Sequence, residues 1–349
     1  MITELNDREK SILRSIVHQF ILTAAPVGSR NIVKKFDLGF SPATVRNIMS
    51  NLEESGYINH PHTSAGRIPT DKGYRFYVDS LMDIKSPDEA EREIINSSLE
   101  IDKKEPDEIL NLTTGLLSRI TKQIACVTYP RLDSGILEKL QLVSLSSTRI
   151  LVVISIKSGL VKTITLELNS EIKPSLIEDV QNLLNERLAG LTFSQIRLTF
   201  GERFRDVIDD HKAIIRLFVD SVDKIFKDFK QNDRLLITGA KNVIKQPEFE
   251  DPERFQSIIE LIEDKDIIIH ILEKSGEMVS DQVFISIGSE NEDQKLKDYS
   301  FISKEYSLGE TSGTLGIIGP KRMEYPRVVA IVDYVAKMLS ELLTNTNSK

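Results

Sequence analysis

Between Ser29 and Gly56 the chain carries two short helical segments with a tight turn between them, and the second has a full set of start and stop signals. Ser29 to Phe36 is long enough for one short helix, and Asp37-Leu38-Gly39-Phe40 turns the chain. Ser41 is a good N-cap, and Pro42 falls at the first helical position, where its missing N–H removes no bond. Val45, Ile48, Met49 and Leu52 then recur at i, i+3, i+4 and i+7, which makes one buried stripe. Gly56, after Glu53-Glu54-Ser55, stops the helix. Ala43, Thr44, Arg46, Asn47 and Ser50 lie off the stripe.

The flanks complete a small unit. Upstream, Asn6 or Asp7 caps a helix with Glu9 in its first turn, and Ile12, Ile16, Val17, Phe20 and Ile21 share its face until Pro26 and Gly28 end it. Downstream, Tyr57–His60 reads as a short strand, Pro61 to Gly66 as a turn and Arg67-Ile68-Pro69 as the return, a hairpin with a polar, partly basic tip. A fourth helix from about Asp71 places Tyr74, Tyr77, Val78 and Leu81 at core spacing. This is the winged helix-turn-helix order, in which the second helix of the pair enters the major groove of DNA and its N-terminal residues meet base edges. Arg46 can donate two bonds to a guanine edge and Asn47 can pair with an adenine edge. Thr44 and Ser50 reach bases or phosphates, and Ser41 with the free N–H groups of the helix start forms a phosphate clamp. Ser29, Arg30 and Ala43 belong to the same candidate surface, and His60, His62, Thr63, Ser64 and Arg67 would meet the backbone or the minor groove. Helix-turn-helix-hairpin modules also serve as protein-interaction domains, and in that reading Arg46 and Asn47 are only a solvated face.

The net charge of −8 at first argues against nucleic acid. Its distribution does not: residues 1–80 hold ten Lys/Arg and eight Asp/Glu, and the remainder holds 35 and 45. A mildly basic head on an acidic body suits a protein that touches DNA at one end. The single cysteine, Cys126, excludes an intramolecular disulfide and a Cys-rich zinc site, and its apolar neighbours make it a buried small hydrophobe. No apolar stretch approaches the roughly 20 residues of a membrane helix, and the N-terminus lacks a signal-peptide pattern, so a cytoplasmic setting is expected. His60 and His62 have no acidic or Cys partner close in sequence, so no metal site is expected. The Gly309–Gly319 run lacks both phosphate-loop spacings and reads as turn and strand glycines, and Lys321-Arg322 reads as a solvated pair. No nucleophile, catalytic residue or cofactor loop is recognisable, which disfavours an enzyme.

The rest of the chain is mixed α/β. Asp83 to about Glu93 is polar and reads as a linker or a loose helix start, and Ile109 to Ile120 is helical. Leu140–Leu145, Ile150–Ile156 and Leu160–Leu168 read as consecutive antiparallel strands. Helices are expected over Pro174–Leu188, Asp206–Phe229 (with His211 on its apolar face) and Phe255–Glu263, and strands at Leu235–Ile237, Val283–Ile287, Tyr299–Ile302 and Thr314–Ile318. A C-terminal helix carries Val328, Val332, Val335, Leu339 and Leu342, a stripe better suited to its own domain's sheet than to a coiled coil.

Three groups of motifs carry a resemblance. They are Pro26-Val27-Gly28-Ser29-Arg30 with Ser41 to Asn47 and Pro61 to Arg75; Gly239-Ala240-Lys241-Asn242-Val243-Ile244 with Pro247-Glu248-Phe249; and Ile287 to Asn291 with Gly316 to Pro326. Together they resemble the bacterial heat-inducible transcription repressor HrcA family over nearly the whole chain. Lys321 and Val45 are small departures from the family pattern. The resemblance implies a multidomain α+β protein: a winged helix-turn-helix at 1–82, a linker at 83–104, a GAF-like α/β domain in two parts at 105–190 and 253–349, and an inserted dimerising α/β segment at 191–252. It implies repression of chaperone operons of the groE and dnaK type. The repressor would bind the inverted-repeat CIRCE element in double-stranded DNA as a homodimer. A GroEL-type chaperonin partner would keep it active until heat diverts that chaperonin. It implies no membrane partner and no cofactor. A second reading from the same resemblance is a winged-helix regulator whose GAF-like domain senses a small ligand.

Overall fold

In the computed structural model the first helix begins where a reciprocal cap allows it. Asn6 Oδ1 accepts from the Arg8 and Glu9 N–H groups at 3.1 and 3.0 Å, and Glu9 Oε2 accepts the Asn6 N–H at 3.0 Å. The structure describes residues 5–61, 66–99, 105–167, 174–207, 209–227, 234–278 and 282–346. The expected contacts His62, Thr63 and Ser64 lie outside these, as do the side-chain surroundings of His211.

Helices α1 (Asp7–Thr23), α2 (Ser29–Lys35) and α3 (Pro42–Glu54) pack around Ile12, Ile16, Val17, Ile32, Val45 and Leu52, each essentially without solvent exposure. A hairpin follows, β1 (Ile58–Asn59) and β2 (Ile68–Pro69), and a backbone bridge between Val27 and Arg67 ties it to the segment after α1. Helix α4 (Asp71–Ser80) closes the unit, with Thr70 Oγ1 accepting the Gly73 N–H at 3.1 Å. The expected linker holds a helix, α5 (Glu89–Leu99), whose Ile95 and Leu99 are buried.

The remainder forms two sheets. One has five strands in the order β7-β3-β10-β9-β8: β3 (Ile124–Thr128), β7 (Leu235–Thr238), β8 (Phe284–Ile287), β9 (Tyr299–Leu308) and β10 (Thr311–Pro320), with every pairing antiparallel. Alternate residues feed two cores. Ala125, Val127, Leu315 and Ile317 join the core that holds α6 (Pro106–Thr121) and α13 (Tyr325–Thr346). Ile124, Cys126 and Ile318 join the core of α11 (Pro252–Glu263) and α12 (Lys265–Met278). Cys126 is fully buried, and burial pushes its thiol up. The stripe on α13 packs inward, with Val328, Val332, Val335 and Leu339 at 1% exposure or less, as expected of a helix on its own sheet. The Gly309–Gly319 run proves to be the β9–β10 turn and strand β10.

The second sheet is a meander, β4 (Leu137–Ser146), β5 (Arg149–Ile156) and β6 (Val161–Glu167). Helices α7 (Pro174–Leu188), α8 (Phe193–Arg203) and α9 (Asp209–Phe226) share its core. The side chains of Asn185 and Gln181 on α7 meet the edge of β4, where they accept the Leu140 and Leu142 N–H groups at 2.7 and 2.8 Å. This second unit interrupts the larger sheet between β3 and β7, so it spans Leu137–Phe226. The expected insert at 191–252 started too late and took in β7, which pairs with β3. Among the described residues no helix is long and apolar enough to cross a membrane.

Candidate nucleic-acid interface

Ser41 caps α3 as expected: its Oγ accepts the Thr44 N–H at 3.1 Å and lies 3.0 Å from Thr44 Oγ1. The cap sets the helix phase, so Val45, Ile48, Met49 and Leu52 face α1 and α2 and are buried. Ala43, Arg46, Asn47 and Ser50 are therefore exposed on the opposite face. No hydrogen bond or ion pair engages the side chains of Arg46, Asn47 or Ser50 among the described residues. Arg30, at the start of α2, is also exposed. One helix thus presents a bidentate cation, a carboxamide and a hydroxyl together, the donor and acceptor set that reads base edges.

Four expected contacts sit differently. Ser29 is 8% exposed because it opens α2 against the bundle, so its side chain is not on the surface. Arg67 is not a free cation: its Nε and Nη2 donate to Glu53 Oε2 at 2.8 and 2.7 Å. His60 Nδ1 is bonded to the other oxygen of the same carboxylate. Glu53, in the last turn of α3, thus holds the residue after β1 and the residue before β2 and ties the hairpin to the helix. Thr44 is half-buried and shares its hydroxyl with Ser41.

A second cluster, at the junction of head and body, escaped the sequence reading. Lys321 Nζ donates to Asp71 Oδ1 at 2.7 Å, and the Ser289 N–H donates to Asp71 Oδ2 at 2.8 Å. Partial burial alone would raise the Asp71 carboxyl. The Lys321 ammonium and the Ser289 N–H outweigh it and hold the group below its ordinary value. Arg75 grips Glu290 with two bonds, 2.7 and 2.5 Å, and donates to Ile285 O at 2.8 Å. Arg322 pairs with Glu248 and donates to Ile21 O, at the end of α1, at 2.7 Å. The pair Lys321-Arg322 is therefore not solvated but joins two units. Tyr74 and Tyr325 approach to 5.9 Å between ring centroids beside a cleft of about 510 Å³. The only legible signal was indirect: the motif runs at Thr70–Arg75, Pro247–Phe249, Ile287–Asn291 and Gly316–Pro326 all converge on this junction.

The comparisons follow the same extent. The family described as HrcA protein C terminal domain matches residues 107–329. A curated relative from Chlorobium phaeobacteroides (strain BS1), named heat-inducible transcription repressor HrcA, is 42% identical over 99% of this chain and 100% of its own length. One of the same name from Chlorobium phaeovibrioides (strain DSM 265 / 1930) is 43% identical over 99% of each. A crystal structure of a hypothetical protein at 2.2 Å resolution superposes with a TM-score of 0.60 at 26% identity, covering 98% of this chain and 100% of that one. The chain belongs to the HrcA family.

Proposed function

We propose that this protein is a heat-inducible transcription repressor that reads operator DNA with the exposed face of α3. The observation that carries the reading is the free Arg46-Asn47-Ser50 face opposite a buried stripe, in a chain whose full-length relatives bear the name heat-inducible transcription repressor. The head is read as a winged helix-turn-helix, with the hairpin as its wing. Arg30, Ser41 and Ala43 lie near phosphates, and Arg46, Asn47 and Ser50 near bases. The body is read as a GAF-like domain built on the five-stranded sheet, with the Leu137–Phe226 unit inserted. The operator is an inverted repeat of the CIRCE type upstream of chaperone genes, and the protein works in the cytoplasm.

An inverted repeat demands a two-fold reader, so the working species is a homodimer. The inserted sheet offers the surface. Its face away from α7–α9 carries Val143 opposite Leu151 and Gln141 opposite Val153, with Thr165 and Thr163 completing the two rows. Val143 is 46% exposed, and neither row holds a charge. A second copy placed there covers β-branched surface that one chain leaves open. A GroEL-type chaperonin keeps the repressor competent, and heat diverts it.

The test is a titration at fixed salt on an inverted-repeat duplex, before and after brief heating, with and without chaperonin. Binding that is lost on heating and restored by chaperonin supports the reading. Operator binding indifferent to both contradicts the regulatory half. Failure to prefer the repeat at any temperature contradicts all of it.

A further inference from the structure

The motif Gly239-Ala240-Lys241-Asn242 has no part in the DNA-reading face, yet it lines a concavity of about 510 Å³ on the body. One wall is the C-terminal part of α6, with Gly115, Ser118 and Arg119 at the i, i+3, i+4 spacing of one helix face and Lys122 just beyond the helix end. The other is the end of β7 with the turn into α10 (Ala240–Val243), bringing Thr238 and Lys241. Asn242 fixes the two walls together, its Nδ2 donating to Ser118 O and Oγ at 3.2 and 3.0 Å.

Two independent features mark the concavity as more than a surface irregularity. Its charge is of one sign: Arg119, Lys122 and Lys241 line it, and no carboxylate does. Among the described residues none of the three is ion-paired; Arg119 meets only the Ser98 hydroxyl, at 3.0 Å. Arg119 and Lys122 also complement the C-terminal end of α6, but that role does not account for Lys241. The second feature is Gly115. A glycine inside a helix costs about 0.5–1 kcal/mol relative to alanine. Here no packing contact requires it, since a Cβ at Gly115 would meet nothing within 4 Å. Its missing side chain serves to keep the wall of the concavity low.

We propose that this concavity binds a small, multiply charged anion bearing a phosphate or diphosphate group. Arg119 and Lys241 would hold the anion from opposite walls, Thr238 would donate its hydroxyl, and Gly115 would leave room for the body of the ligand. The volume lies within the roughly 300–1,000 Å³ of ordinary small-molecule sites.

The test is calorimetric titration of the full-length protein at constant ionic strength with sodium pyrophosphate, with ADP in a parallel arm and chloride as the control. Saturable binding of pyrophosphate is expected. Tighter binding of ADP identifies a nucleotide as the source, and equal binding identifies the diphosphate group itself. Lys241→Gln should weaken binding about tenfold, the effect of one charge-assisted bond. Gly115→Leu should abolish it while the melting temperature holds, because the added side chain enters open space. Arg46→Ala should leave it intact, which separates this site from the DNA-reading face. Absence of saturable binding overturns the proposal. So does binding that survives both Lys241→Gln and Gly115→Leu unchanged.

Discussion

At the scale of single residues, the same helix supplies both a core and the proposed reading surface, and burial alone divides them. Arg46 and Asn47 stand on the exposed face that the phase of four apolar residues gives, because a capped helix leaves only one choice of face. The pairing of Arg67 was not legible, because its partner Glu53 lies fourteen positions earlier in the chain and the contact requires the hairpin to fold back. A lone arginine in a polar tip reads as a phosphate contact; an arginine sharing a carboxylate with His60 reads as a brace. Arg67→Ala is therefore expected to lower the stability of the head by about 0.5–1.5 kcal/mol, the usual worth of a partly exposed charge-assisted bond, and to leave the salt dependence of DNA binding unchanged. Denaturant titration and a salt series on the variant check both halves, and a flatter salt slope would return Arg67 to the DNA. Gly73 offers a sterner test. Alanine there improves helix propensity, but its Cβ would stand 2.1 Å from Tyr57 O, a backbone atom that cannot yield. Gly73→Ala should destabilise the head by more than about 2 kcal/mol, the range of overpacking, read as a drop in its melting temperature.

At the scale of elements, alternation made β5 legible in the sequence, and its absence hid β3. Strand β5 alternates between buried and half-buried and was read in place. Strand β3 is buried at all five positions because helices cover both sides of its sheet, so it has no alternation to read. Helices α8 and α12 were missed, and the start of α8 is written in a capping box at Thr192 and Gln195 that was open to reading. The contact between α4 and the body was invisible because its charges come from four distant stretches. It carries a pH signature. Asp71 titrates below its ordinary value of 3.8 in the folded protein. Its contribution is complete above that value and is lost as pH falls through the lower folded one. Denaturation curves across this acid range should show a steeper loss of stability for the native protein than for Asp71→Asn; parallel curves would remove Asp71 from the junction. Salt should loosen the same junction, since Arg75, Glu290, Lys321 and Asp71 are all partly exposed.

At the scale of the whole molecule, the account joins three surfaces on one chain: the α3 face, the charged junction that fixes the head on the body, and the open face of the inserted sheet. If that open face is the dimer contact, Val153→Lys places a charge in its centre and should yield a folded monomer in sedimentation analysis, with binding to the inverted repeat reduced to that of a half-site. A variant that remains dimeric would move the contact elsewhere. The central claim, that base pairs lie against Arg46 and Asn47, is tested most directly by competition between palindromic and random duplexes at one fixed salt concentration. The comparison is between the native protein and the double variant Arg46→Ala, Asn47→Ala. The account predicts a native preference for the palindrome of about 10³-fold or more. It predicts that the variant loses the preference, at about 1–3 kcal/mol per contact in each half-site, while keeping its melting temperature and its weak, salt-sensitive binding to any duplex. A variant that still selects the palindrome, or a native protein that holds both duplexes equally, would contradict it.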